Sequence, residues 1–311
     1  MNSNRSCLIV GAGMAGLTAA RFLQAGGWPI VLLDQSRGVG GRMATRRIGA
    51  SCLDHGAQFF TVRDARFEEA VRQWEAAGWI APWFTREGHI RYRAMDGMKV
   101  LAKHLAKPLD VRREAKVETI EPADEGWRVT TGSGQIFHAS TLLLTPPAPQ
   151  TAELLSTCAD RLPPEFLFTL SCIEYDPCFS LLVTIAGSSG VPAPGYVRPE
   201  NGPVEWIADN KQKGISAGIA ALTVHANAEF SGRYLEAPKD RVARLMLEAA
   251  EPWFGGQVTA WQLHRWKYGR PVAANRPLYL LTHQPARLAI AGDSFGGPRL
   301  EGAFLSGLTA A

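Results

Sequence analysis

The chain has 311 residues, 46% of them hydrophobic and 20% charged, which suits a sizeable core and excludes both one small domain and a largely disordered polypeptide. Its 33 Lys and Arg against 29 Asp and Glu leave a net charge of +4, scattered rather than massed, so no nucleic-acid partner is expected. Cys7, Cys52, Cys158, Cys172 and Cys178 form no C-x-x-C pair and stand near no histidine cluster, which excludes a disulfide framework and a metal site and fits a reducing, cytoplasmic setting.

MNSNRSC runs directly into an apolar stretch at 6–10 with no room for a signal peptide, and no apolar run approaches the roughly eighteen residues of a bilayer span, so no membrane is expected. Residues 14–25 then carry apolar side chains at helical spacing until Gly26 and Gly27 stop them. PIVLLD at 29–34 predicts a second strand. Strand, glycine turn, helix and strand in about thirty residues make a βαβ unit, so the N-terminus founds a doubly wound parallel sheet. Residues 65–78 predict a helix, the Trp-rich stretch after them a hairpin and loop outside the sheet, and 97–105 another helix. Strands are expected at 110–120, 126–129 and 140–144, the last ending in TPPAP, whose prolines read as a linker. From 151 to 269, strands such as 179–185 and 218–225 and one strong helix at 239–251 point to a second lobe on a mainly antiparallel sheet. RLAIAGD at 287–293 is again a buried strand, entering a glycine-rich loop and a helix from 302 to the chain end. The expected class is α/β: a discontinuous Rossmann-type domain (1–78, 97–150 and 270–311) with an α+β substrate domain (79–96 and 151–269).

In Gly11-x-Gly13-x-x-Gly16 the first glycine permits the tight turn, the second lets the backbone approach a pyrophosphate, and the third lets helix and strand pack closely. The helix beyond, opening at Met14 and Ala15, offers unpaired N–H groups to phosphates. Asp34, followed by Gln35, ends the second strand where a carboxylate accepts from ribose hydroxyls, an arrangement that serves NAD and the adenosine half of FAD equally. Gly40-Gly41, followed by Arg42 and Met43, adds close backbone approach and a permanent cation for a ligand that continues along the domain.

On these residues the chain resembles the flavin amine-oxidase superfamily, whose glycine-glycine-arginine element belongs to an FAD site; the resemblance implies FAD, with Arg42 at its pyrophosphate or ribityl end. Asp54-His55-Gly56-Ala57-Gln58-Phe59-Phe60-Thr61 resembles the D-x-G-A-Q-[YF] segment of the renalase family. GM at 97–98, TPPAPQTAELL at 145–155, VEWIADNKQKG at 204–214, TVHANAEFS at 223–231 and HRWKYGRPV at 264–272 extend that likeness from end to end. Gly292 and Asp293, with Glu301, Gly302, Ala303 and Phe304, resemble the second FAD element: Asp293 is implied to meet the ribityl or pyrophosphate region, and the N–H groups at 302–304 to stabilise charge on the flavin's pyrimidine edge. Gln58 and Phe59 are implied beside the cofactor, and the Val117 backbone on its adenine side. Relatives continue past the point where SGLTAA stops, so a truncated C-terminus is expected.

The renalase-like resemblance implies an FAD-dependent oxidase that converts the 2- and 6-dihydro isomers of NAD(P)H to NAD(P)+ by hydride transfer to flavin N5, with oxygen reduced to hydrogen peroxide. Its partners are then a small-molecule dihydronicotinamide dinucleotide and oxygen. Gln58, Phe60, Trp206, His225, Trp266 and Tyr268 are the candidate pocket lining, although Trp206, Trp266 and Phe60 equally suit a core and His225 a structural role. No catalytic side chain stands out, since H-E-x-x-H and paired metal histidines are both missing. Lys267 lies where many amine oxidases carry a flavin-facing lysine, but strand alternation between Trp266 and Tyr268 turns it away. An FAD-dependent amine or other small-molecule oxidase, and a non-catalytic FAD-binding protein, are the alternatives.

Overall fold

The computed structural model describes residues 5–272 and 276–311. The apolar runs build a six-stranded sheet in the order Tyr279–Thr282, Arg287–Ala291, Thr141–Leu144, Cys7–Val10, Ile30–Leu33, Val111–Arg112. All neighbours are parallel except the edge strand Tyr279–Thr282. Both faces are covered, which is why these strands read as unbroken apolar runs. Cys7 and Ile9 point into one cluster, with the helices Met14–Ala25, Met98–Ala106 and Leu300–Ala310; Leu8 and Val10 point into the other. A Cβ on Gly307 would lie 2.2 Å from the Ala15 carbonyl oxygen, so glycine lets the first and last helices touch backbone to backbone.

Two expectations are corrected here. TPPAP is no linker: it launches the helix Ala148–Leu155, with proline in its first turn. Leu155, Cys158, Leu162, Phe166 and Leu170 then pack with Leu8, Val10 and Leu144, so the chain to Ile173 covers the first sheet and not the second lobe. The strand expected at 110–120 is split into Val111–Arg112 and Val117–Ala123, the latter in a three-stranded antiparallel sheet with Gly126–Thr131 and Ile136–Ala139. Glu114, at φ 56°, makes the break.

The second lobe is a five-stranded antiparallel sheet in the order Tyr196–Val197, Val204–Asp209, Ala220–Ala226, Tyr175–Gly187, Gly256–Pro271. Phe179, Leu181, Val183, Leu222 and Val224 bury one face under the helix Lys239–Ala250 through Val242, Ala243 and Met246. From the opposite face Leu182 and Ala221 meet Leu53, on the hairpin Thr45–Ile48 and Ser51–Asp54 of the first domain. The hairpin Ile80–Arg86 and His89–Ala94 reaches the second lobe through Trp83, whose Nε1 donates to the Pro194 carbonyl at 2.8 Å.

Candidate active site between the two sheets

The glycines of the first turn divide their work as their spacing requires. A Cβ on Gly11, at φ +100°, would meet Thr145 Oγ1 at 2.5 Å, and one on Gly16 would lie 2.0 Å from the Gly11 carbonyl oxygen, so both positions shape the turn itself. Gly13 has no atom within 4 Å of where its Cβ would stand, and a Cβ on Gly41 would approach the Gly13 Cα at 3.6 Å. The two glycines face each other across an open backbone cradle, and no side chain caps the helix N-terminus at Met14, Ala15 and Gly16. That donor set fits a pyrophosphate.

Arg42 and Asp293, 251 positions apart, form an ion pair of 2.7 Å, and Arg42 also donates to the Gly269 carbonyl at 3.3 Å. Burial works against the guanidinium's charge, but the Asp293 carboxylate outweighs it and leaves the Arg42 pKa above its ordinary value. Asp34 accepts from Ala12 N and Ser36 N, each at 2.8 Å and each on a different carboxylate oxygen. It locks the glycine turn and keeps a lone pair per oxygen for a ribose, with Gln35 exposed beside it. Ala115 N donates to the Asp34 carbonyl, which brings Val117 to the same end.

Several side chains expected at the cofactor are committed elsewhere. Met43 is 2% exposed in the core, and Phe304 packs on Phe67 at 5.0 Å. The Glu301 carboxylate accepts from Arg63 N (2.6 Å) and Asp64 N (2.8 Å), pinning that loop to the helix Leu300–Ala310. A Cβ on Gly302 would fall 2.2 Å from the Gly297 carbonyl oxygen. Arg299, at the N-cap, makes no side-chain capping bond, so the backbone around Gly302 and Ala303 is what this element can offer a flavin. Gly292 N donates to Ser306 Oγ at 2.8 Å, tying the preceding strand to that helix.

Opposite this surface, strand register aligns Trp206, His225, Ser180 and His264 in one row across four strands. Trp266 shares the His264 face of its strand by alternation; the register shifts between Trp266 and Arg270, where Lys267 is exposed with its ammonium 5.5 Å from the Tyr268 ring centroid. The loop 54–60 lies against the row. The His55 ring stacks on Trp266 (5.4 Å between centroids) and meets His264 edge-on (4.9 Å), and its carbonyl accepts from Trp266 Nε1 at 2.7 Å and from His225. Burial pushes all three imidazoles down, His55 to about 3 and His225 and His264 to about 4, so all are neutral at pH 7. Gln58 Nε2 donates to the carbonyls of Asp54 (2.7 Å) and Gly56 (3.0 Å). Trp206 stacks on Tyr196 (4.8 Å), Tyr196 on Phe84 (4.1 Å), and Phe59 approaches Trp206 at 5.4 Å.

Phe60 is a correction: it sits 3% exposed in the first-domain core among Phe67, Trp74 and Tyr92, and Phe59 takes the place by Trp206. Tyr268 reaches Tyr175 (5.6 Å), near the Arg42 end and away from the row. Sequence reasoning missed Ser180, His264 and His55, the first two legible only through cross-strand register. It also missed Lys213, whose ammonium is 2.7 Å from Asp54 with both side chains 0% exposed. A composition-level rule that lysine stays outside hides such a residue.

Among the described residues the buried side-chain polar atoms without a partner are His55 Nδ1, Gln58 Oε1, Ser180 Oγ, Trp206 Nε1 and His225 Nε2. An unpaired buried polar group costs about 1–3 kcal/mol, and all five belong to the row or to the loop against it. That concentration makes the row and its loop the candidate recognition surface. A cleft of about 400 Å³ lined by Arg37, Lys99, Lys103, Lys107 and Arg113 lies elsewhere, on the side of the 38–41 turn where Gly38 abuts Lys99 and Gly40 abuts Ala102. Among the described residues no cluster of three or more His, Cys, Asp or Glu could hold a metal, and no helix is long and apolar enough to cross a membrane.

Two family models match: an NAD(P)-binding Rossmann-like domain over residues 9–74 and Flavin containing amine oxidoreductase over residues 75–311. Renalase from Mus musculus is 25% identical over 329 residues, covering 97% of this chain and 96% of the relative. Wild-type putrescine oxidase bound to putrescine superposes with a TM-score of 0.71 at 14% identity, over 98% of each chain. A cofactor-binding redesign of putrescine oxidase gives 0.76 at 13% identity, over 98% of this chain and 97% of its own. These two likenesses speak for the fold.

Proposed function

The chain belongs to the flavin-containing amine oxidoreductase family and is an FAD-dependent oxidoreductase similar to renalase; from that premise we propose that it oxidises the 2- and 6-dihydro isomers of NAD(P)H to NAD(P)+, with oxygen as final acceptor and hydrogen peroxide as product. The observation that carries this reading is the uncharged wall formed by Trp206, His225, Ser180 and His264 with His55 and Gln58. A protonated amine entering there would find no carboxylate in the wall and would leave water at a large cost. A neutral dihydropyridine ring needs no counter-charge.

Gly13, Gly41, Arg42 and Asp293 would hold FAD, which would supply the hydride acceptor. The chain's own residues orient the ring and keep water out: Trp206 presents an indole already fixed by its stack on Tyr196, and His55 and Trp266 close the row's other end. The substrate already carries a transferable hydride, so no side chain has to remove a proton first, and imidazoles held neutral in the row suit that role. The five cysteines, all free, support a reducing, cytoplasmic setting. Oxygen uptake tests the reading: 6-dihydroNAD(P) gives one peroxide per NAD(P)+ formed, and turnover of amines without turnover of the dihydro isomers contradicts it.

A further inference from the structure

Three of the unpartnered atoms have a fixed chemical character. Gln58 Nε2 faces two carbonyl oxygens, at 2.7 and 3.0 Å, so the amide cannot flip and Oε1 is turned away as an acceptor. We place the proton of the neutral His225 ring on the nitrogen that faces the His55 carbonyl, which leaves Nε2 with only a lone pair. Trp206 Nε1 can only donate. His225 and Trp206 are cross-strand partners, and the Asp54 carbonyl that takes Gln58 Nε2 also takes Thr223 Oγ1, two positions before His225 on the same strand, so the three lie close together as two acceptors and one donor.

Resting on the dihydronicotinamide reading, we propose that Gln58, His225 and Trp206 read the ring's primary carboxamide, whose two N–H groups donate to Gln58 Oε1 and His225 Nε2 while its carbonyl oxygen accepts from Trp206 Nε1–H. The match works in one direction. A carboxylate in the same place sets its lone pairs against two acceptors, and a methyl ketone satisfies Trp206 while leaving both acceptors unpaired. The patch therefore selects the amide over the acid and over the ketone.

The test is anaerobic bleaching of the holoenzyme's flavin by the 6-dihydro forms of NAD, of its nicotinic acid counterpart and of its 3-acetylpyridine counterpart. In the wild type the rate constant falls about 100-fold for the acid and at least about tenfold for the ketone. His225→Leu narrows the gap between amide and ketone to within about threefold, while Trp206→Phe slows both and keeps the gap. Calorimetric binding of oxidised NAD+ and its nicotinic acid counterpart to the oxidised enzyme follows the same order. Equal bleaching by all three donors in the wild type, or an undiminished gap in His225→Leu, overturns the carboxamide assignment and leaves the dihydronicotinamide reading standing. No bleaching by any of them overturns both.

Discussion

Lys213 and Asp54 meet at 2.7 Å with both side chains fully buried, and their ion pair joins the hairpin strand Ser51–Asp54 of the first domain to the turn that follows Val204–Asp209 in the second. Asp54 also accepts from Met98 N (2.8 Å) and Thr45 Oγ1 (2.5 Å), and its carbonyl accepts from Thr223 Oγ1 (2.8 Å) and Gln58 Nε2 (2.7 Å). One residue thus holds a helix, a sheet and the loop that carries Gln58. Burial pulls the Lys213 ammonium pKa down, and the Asp54 carboxylate opposes that pull.

Lys213→Met leaves the Asp54 carboxylate buried without a counter-ion and lowers stability by about 3–5 kcal/mol. Asp54→Asn combined with Lys213→Met removes both charges, keeps an acceptor for Met98 N and Thr45 Oγ1, and recovers much of that loss. Urea midpoints of the FAD-loaded proteins decide; a double variant as unstable as the sum of both singles contradicts the pairing.

Gly13→Ala and Gly16→Ala separate cofactor contact from turn geometry. An Ala Cβ at position 13 meets no protein atom within 4 Å, so the apoprotein keeps its thermal midpoint while flavin occupancy drops by about tenfold or more, read from visible absorbance. At position 16 the Cβ would stand 2.0 Å from a carbonyl oxygen, so the fold itself loses stability. Identical behaviour of the two variants would remove the cradle from the account.

Arg42→Gln removes the cation held by Asp293 and weakens flavin binding by about 1.5–3 kcal/mol, a factor of roughly 10 to 100 in Kd. Circular dichroism stays unchanged. Fluorescence titration of the apoprotein with FAD provides the number, and an unaltered Kd argues against Arg42 as a cofactor contact.

How much of this was legible in the sequence follows from the range of the interactions involved. Gly11, Gly13, Gly16 and Gly41 announce themselves because a glycine turn is a local backbone event, and the apolar runs at 7–10 and 287–291 announce a sheet covered on both faces. The row Trp206, His225, Ser180 and His264 is set by register between strands up to about 84 positions apart (264 − 180), which periodicity in one segment does not contain. Phe59 and Phe60 show the limit at its smallest: one of two adjacent phenylalanines enters the core and the other meets Trp206, and only the Phe60–Tyr92 bridge decides which.

Stability falls as the medium is acidified. His55, His225 and His264 have folded pKa values of about 3, 4 and 4 against an ordinary 6.5, so the unfolded chain binds more protons below pH 6.5. The stability these neutral imidazoles retain at pH 7 is lost progressively from about pH 6.5 down to about pH 4, on the order of 1 kcal/mol per histidine by pH 5. Urea midpoints at pH 7 and pH 5 show the decline, and His264→Asn makes it shallower. A midpoint that is flat between those two pH values is inconsistent with buried neutral imidazoles.

Whether the uncharged wall faces a dihydronicotinamide is decided by anaerobic stopped-flow of the holoenzyme. Mixing with 6-dihydroNAD(P) bleaches the flavin within the mixing experiment, while putrescine and other amines leave its absorbance unchanged. Rapid bleaching by an amine with none by the dihydro isomers would contradict the account.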